Sequence, residues 1–183
     1  MNLPKWDDVK QLWKDASRGV RVTLGSILVF IGAMAAYQLV PAQLDVPNHI
    51  VLPTGNWRLL ACTTITVDNV SMIIAPGFDQ WDGLSIPASV TNRLQITRYD
   101  YPEASLWHDT GYAILDKRGN GPLSKSFVDE GLRKLLVRAG CVPVKAQAVQ
   151  DAVDAWGFVA LQRHTPESVE RARRFVSIYK RLR

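Results

Sequence analysis

Trp107-His108-Asp109-Thr110-Gly111-Tyr112 sets a histidine, its neighbouring carboxylate and a tyrosine within little more than one helical turn. Four residues apart, His108 and Tyr112 share one face of a helix, while Asp109 is rotated to its side. Ser124 then opens a second amphipathic segment as an N-cap, and Gly140 closes it just past Arg138. Its apolar face holds Phe127, Val128, Leu132, Leu135 and Leu136, and Asp129 lies near its start. The turn formers Arg118-Gly119-Asn120-Gly121-Pro122 join the two segments. This predicts antiparallel helices over 103–117 and 125–139, with Tyr112 and Phe127 in the core between them. A histidine on one helix and a carboxylate on its neighbour is the arrangement that orients an imidazole as a general base. The same pattern also suits a core histidine whose partner merely satisfies it.

Outward from that centre, the most marked feature is the run Val22–Leu44, which has no charged residue. At about 1.5 Å per residue it is long enough to cross a hydrocarbon core of roughly 30 Å. It exceeds the apolar region of a cleavable signal peptide and lacks the polar face of a buried helix. The segment therefore reads as a transmembrane helix. Gly32 and Ala36 form a small-xxx-small pair within it, with Gly25 further up, a pattern that suits self-association. Residues 1–21 read as a short amphipathic basic helix with Trp6 and Trp13 at the membrane surface. Lys and Arg outnumber Asp there, and none follows the apolar run until Arg58, which puts the N-terminus in the cytoplasm if the bilayer is a host membrane.

The remaining organisation is a linker over 45–56, marked by Pro47, Pro53 and Gly55, and a globular domain over 57–183. Strand-like runs cover Trp57–Ile65 and Val70–Ala75, and Pro76-Gly77 ends the second. The loop Asp82-Gly83-Leu84-Ser85-Ile86-Pro87 has turn chemistry at both ends. Pro143 opens a further helix, and Thr165-Pro166 starts the last one by cap and first-turn proline. That last helix is expected to run to the C-terminus, with Val169, Ala172, Val176 and Tyr179 inward. Its outer face would carry Arg171, Arg173, Arg174 and Arg181. A charge run of this kind is a solvated face, or a surface for phosphate on anionic lipid headgroups or nucleic acid. The net charge of +5 resides mainly in this helix and the N-terminal tail. Cys62 and Cys141 show no metal-ligand spacing; they read as two buried thiols, or as one disulfide in an oxidising compartment.

Four elements in order resemble a family of uncharacterised bacteriophage and prophage proteins, domain of unknown function 1353. They are Pro76-Gly77-Phe78, Asp82–Pro87, His108-Asp109-Thr110-Gly111-Tyr112 and the helical Asp129. The resemblance covers about residues 70–157. Trp81 and Gly111 depart from its pattern, and the transmembrane run is not part of it. The His-Asp-x-x-Tyr centre is also similar to phospholipase A(2), above all its parvoviral form. That similarity implies a compact helical core on two antiparallel helices, so the expected fold is mainly α with a small β portion, the transmembrane helix of 22–44 preceding that domain. It further implies His108 as base, Asp129 as its orienter, Tyr112 as support and Asp109 as a calcium ligand. Asp82 and the loop positions Gly83, Ser85 and Pro87 would stand in for the usual glycine-rich calcium loop, whose Gly-x-Gly is absent.

Two functions follow. The first is a membrane-anchored bacteriophage protein, of virion or prophage, with a structural or docking role in a bilayer during assembly or genome delivery. Its partners would be the lipid bilayer, other virion proteins, or itself through the transmembrane helix. The alternative is a calcium-dependent, phospholipase-like esterase whose His–Asp dyad activates water. A serine hydrolase on Ser85 lacks the second glycine of a nucleophile elbow. A metal phosphohydrolase lacks histidines, since only His49 and His164 remain.

Overall fold

The structure is a computed structural model, and it describes residues 47–84 and 86–181. Four short strands come first: β1 (His49–Val51), β2 (Trp57–Leu59), β3 (Thr63–Val67) and β4 (Val70–Ile74). Five helices follow: α1 (Ala88–Leu94), α2 (Pro102–Ala113), α3 (Lys125–Arg138), α4 (Pro143–Leu161) and α5 (Pro166–Arg173). A last strand, β5 (Val176–Lys180), ends the described chain. β1 and β2 form one antiparallel pair; β3, β4 and β5 form a second antiparallel sheet in that order.

The two central helices form as their end signals dictate. Pro102 sits in the first turn of α2, and the Ser124 hydroxyl caps α3 by accepting from the Phe127 N–H. Their contacts run in opposite senses along the two chains. Glu103 meets Arg138 at 2.6 Å, the Trp107 indole N–H donates to the Val128 carbonyl at 3.1 Å, and Tyr112 reaches Asp129. The pair is therefore antiparallel, with Tyr112 buried and Phe127 half-buried against Trp107. Gly111, unusual inside a helix, is explained by this packing. A Cβ there would lie 2.5 Å from a Val128 methyl, so only glycine lets the backbones approach this closely.

Four expectations are corrected. The segment 1–21 and the run 22–44, with Gly25, Gly32 and Ala36, lie outside the described residues. Among the described residues no helix is long and apolar enough to cross a membrane; α4, the longest at 19 residues, carries Lys145, Asp151 and Asp154. A membrane span followed by a mainly helical domain, and the single-pass membrane location with it, thus gives way to five helices and two small antiparallel sheets in the described residues. Second, the linker 45–56 contains β1, which pairs with β2, and the run 57–65 is broken at Leu60–Cys62 into two strands of different sheets.

Third, the last helix stops at Arg173. Val176 and Ile178 then pack against the core as part of β5, opposite Ile74 and Met72 of β4. The arginines of the expected basic face are all exposed, but they are divided between helix and strand. The Arg173 guanidinium donates to the Ile114 carbonyl, while Arg171 lies 3.9 Å from Asp79 and Arg174 3.9 Å from Glu170. Arg181 follows the strand, its N–H bound to the Asn69 carbonyl. Fourth, both cysteines are free thiols; Cys141 is buried, but Cys62 is exposed in the bend after β2.

Candidate functional site

His108 projects from α2 toward α3, where its Nε2 lies 3.1 Å from Asp129 Oδ1. Asp129 is fully buried, so an isolated carboxylate there would be strongly disfavoured. It is instead saturated by donors. The Tyr112 hydroxyl donates to the same Oδ1 at 2.9 Å, and the Lys125 ammonium donates to Oδ2 at 2.6 Å. Burial alone would raise the Asp129 pKa, but the bonds from His108, Lys125 and Tyr112 outweigh it and hold the carboxyl down at about 2. Tyr112 is pushed up, first by burial and then by the Asp129 charge, and remains a phenol donor.

On the other side of the imidazole, Nδ1 lies 3.6 Å from Asp109 Oδ1. Burial lowers the His108 pKa, yet the attraction of the Asp109 and Asp129 carboxylates more than offsets this, and the net shift is upward. Asp109 has few donors of its own. Its Oδ2 accepts one backbone N–H, from Asp82 at 3.1 Å. Burial, helped by the Asp82 charge, raises its pKa to about 6 despite the counteracting His108.

His108, Asp109 and Tyr112 open onto a cleft of about 380 Å³. Asn56, Gln80, Trp81, Asp82 and Pro87 line one side. Ala152, Val153, Trp156, Gly157 and Ala160 of α4 form an opposite wall that is apolar and mostly of small side chains. The loop reaches this position because residues 78–81 run beside β2. The Trp57 N–H bonds the Trp81 carbonyl, and the Leu59 N–H bonds the Phe78 carbonyl. Gly83, at φ +89°, then lets the chain pass against the Arg98 carbonyl, a contact that a Cβ would block.

The structure thus brings together His108, Asp129, Tyr112, Asp109, Asp82 and Pro87, with Gly83 shaping the loop. Ser85 lies outside the described residues, and the arginines of the expected basic face take no part. Lys125 was missed from sequence, although its i,i+4 spacing to Asp129 is a readable signal. His164, which lines the far end of the cleft and bonds the Leu115 carbonyl through Nδ1 at 2.9 Å, was also passed over.

Calcium takes six to eight oxygen ligands, commonly carboxylates and backbone carbonyls together. The loop does not offer that set. The Trp81 carbonyl is taken by Trp57, the Asp82 carbonyl accepts from Arg98 at 2.5 Å, and toward Asp109 the loop turns an N–H donor. Among the described residues no group of three His, Cys, Asp or Glu side chains is placed to hold a metal ion. Among the described residues the donor set thus falls short of the six to eight oxygens that the calcium of the phospholipase resemblance would take.

No family model matches the chain, and neither a curated protein nor a solved structure does.

Proposed function

We propose that this domain is a hydrolase in which His108 activates a water molecule against a carboxylic ester with an apolar acyl group. One observation carries the reading: His108 Nε2 is bound to a buried, fully saturated carboxylate, while the residue itself lines an open cleft. With Nε2–H donating to Asp129, Nδ1 is left facing Asp109 Oδ1 at 3.6 Å, too far for a direct hydrogen bond, and a water between them would meet its lone pair. The water gives its proton to Nδ1 as its oxygen attacks the ester carbonyl. Asp129 stabilises the imidazolium so formed, and collapse of the tetrahedral adduct returns the proton to the leaving alkoxide. Tyr112 fixes the Asp129 oxygen that faces the ring. The apolar α4 wall favours an acyl chain over a charged acid.

The order of elements quoted above supports an origin among bacteriophage and prophage proteins, and the dyad supports phospholipase-like chemistry without the metal. A second reading, a docking module of a phage assembly, is favoured by a different observation. Trp156, Phe158 and Val159 of α4 are 59%, 51% and 55% exposed, a large apolar area for one helix to leave in water.

Hydrolysis of p-nitrophenyl butyrate and of mixed phospholipid vesicles by purified wild-type protein and by His108→Ala separates the two. The hydrolase reading expects wild-type turnover and a loss of roughly 100- to 10,000-fold in the variant, the usual worth of general-base help. A folded wild type no faster than His108→Ala on both substrates leaves the docking reading.

A further inference from the structure

The Lys125 ammonium is deeply placed for a lysine, with its side chain 10% exposed. Lysines are rarely buried to this extent without a specific partner. Its Nζ lies 2.6 Å from Asp129 Oδ2, 3.5 Å from Asp154 Oδ1 and 3.4 Å from the Val153 carbonyl. The rings of Phe158 and Tyr112 lie 5.2 and 5.9 Å from it. It therefore links the inner carboxylate of α3 to the α4 wall of the cleft. Because it takes Oδ2, both other donors, His108 and Tyr112, converge on Oδ1.

We propose that Lys125 is the positioning residue of the dyad: its ammonium keeps Asp129 anionic and turns Oδ1 toward the imidazole. This rests on the reading of His108 and Asp129 as a water-activating pair. The physical argument is a charge balance. A carboxylate with no solvent contact is stable as an anion only if positive charge or several donors face it. The groups facing Asp129 are His108 and Tyr112 from α2 and Lys125 from its own helix, with Asp154 from α4 beyond the lysine. Asp109 and Asp82 face His108 from its other side. Among the described residues only Lys125 brings Asp129 a positive charge that does not depend on the state of His108, which is neutral in the form that acts as a base. Without it, the dyad in that form would hold a buried anion facing only neutral donors.

The test is a pH titration of the Asp129 carboxyl carbon by NMR in wild type, Lys125→Met, Lys125→Gln and Lys125→Arg. Asp129 should remain ionised through the mildly acidic range in wild type and Lys125→Arg. In Lys125→Met and Lys125→Gln its titration should move up by about one pH unit or more, the amide variant showing that charge and not hydrogen bonding matters. If Asp129 in a folded neutral variant titrates where the wild type does, the proposal is overturned. Should both neutral variants fail to fold, the wild type decides. Its Lys125 ammonium protons should be slow to exchange with water and contact Asp129, and a rapidly exchanging ammonium overturns the proposal. In ester hydrolysis the neutral variants should lose kcat with little change in KM, and Lys125→Arg should regain part of it. Absence of wild-type turnover would defeat the hydrolase reading but leave the titration result standing.

Discussion

The two sides of His108 are built on opposite principles. On the α3 side, Asp129 is completely buried yet held at about 2, because three side chains donate to it. On the loop side, Asp109 is slightly exposed, receives one backbone N–H beside a neighbouring carboxylate, and is raised to about 6. Burial pushes both carboxyls up; on Asp129 the donors from His108, Lys125 and Tyr112 reverse it, while on Asp109 the weaker pull of His108 does not.

The largest break in that comparison should come from Asp129→Asn. It strands the Lys125 ammonium without its carboxylate and is expected to cost roughly 3–5 kcal/mol, read from urea unfolding at pH 7. Asp109→Asn should act in the other direction. A carboxyl raised in the folded state binds more protons folded than unfolded between about pH 4 and about pH 6, so wild-type stability falls as pH rises through that window. Removing the charge should stabilise the protein at pH 7 by on the order of 1 kcal/mol, and the gain should vanish at pH 4. A destabilised Asp109→Asn at pH 7 would mean that the attraction of His108 outweighs the burial of this carboxylate.

Asp129 predicts the complementary acid limb. Its folded value is depressed, so its stabilisation is complete above about pH 4 and is lost as pH falls toward 2. Comparing wild type with Asp129→Asn across this range should show the difference shrinking steadily. The smallest effect belongs to an exposed pair. Arg174→Ala removes a 3.9 Å contact with Glu170 on the surface and should change stability by no more than about 0.5 kcal/mol. A larger loss would show that surface donors count as much as buried ones.

The meeting of His108 with Asp129 was legible because helical spacing is local. Four residues separate His108 from Tyr112, and a short turn-rich loop brings Asp129 back onto the same face. The loop's placement was not, because it depends on backbone pairing of residues 78–81 with β2, which no side-chain pattern announces. β5 was misread for a physical reason. Val169, Ala172, Val176 and Tyr179 keep helical spacing after a well-formed Thr165 cap, and the capping box is indeed present. What ends the helix is pairing with β4, a partner far back in the chain. β1 was hidden by Pro47, Pro53 and Gly55, whose turn chemistry flanks the strand instead of replacing it. Lys125 carries no sequence signal beyond its i,i+4 spacing to Asp129, because its role depends on the burial of that carboxylate.

The order in which the sheet is assembled bears on the protein's birth at the ribosome. β3 and β4 leave the exit tunnel early and can close their hairpin at once. The other edge of β4, with Met72 and Ile74, has to wait for Val176–Lys180, which emerge only after the five described helices. Throughout that interval the nascent chain offers an open strand edge beside apolar side chains, the feature that invites pairing with a neighbour on the same message. Emergence of Val176–Lys180 is thus the step that withdraws the invitation.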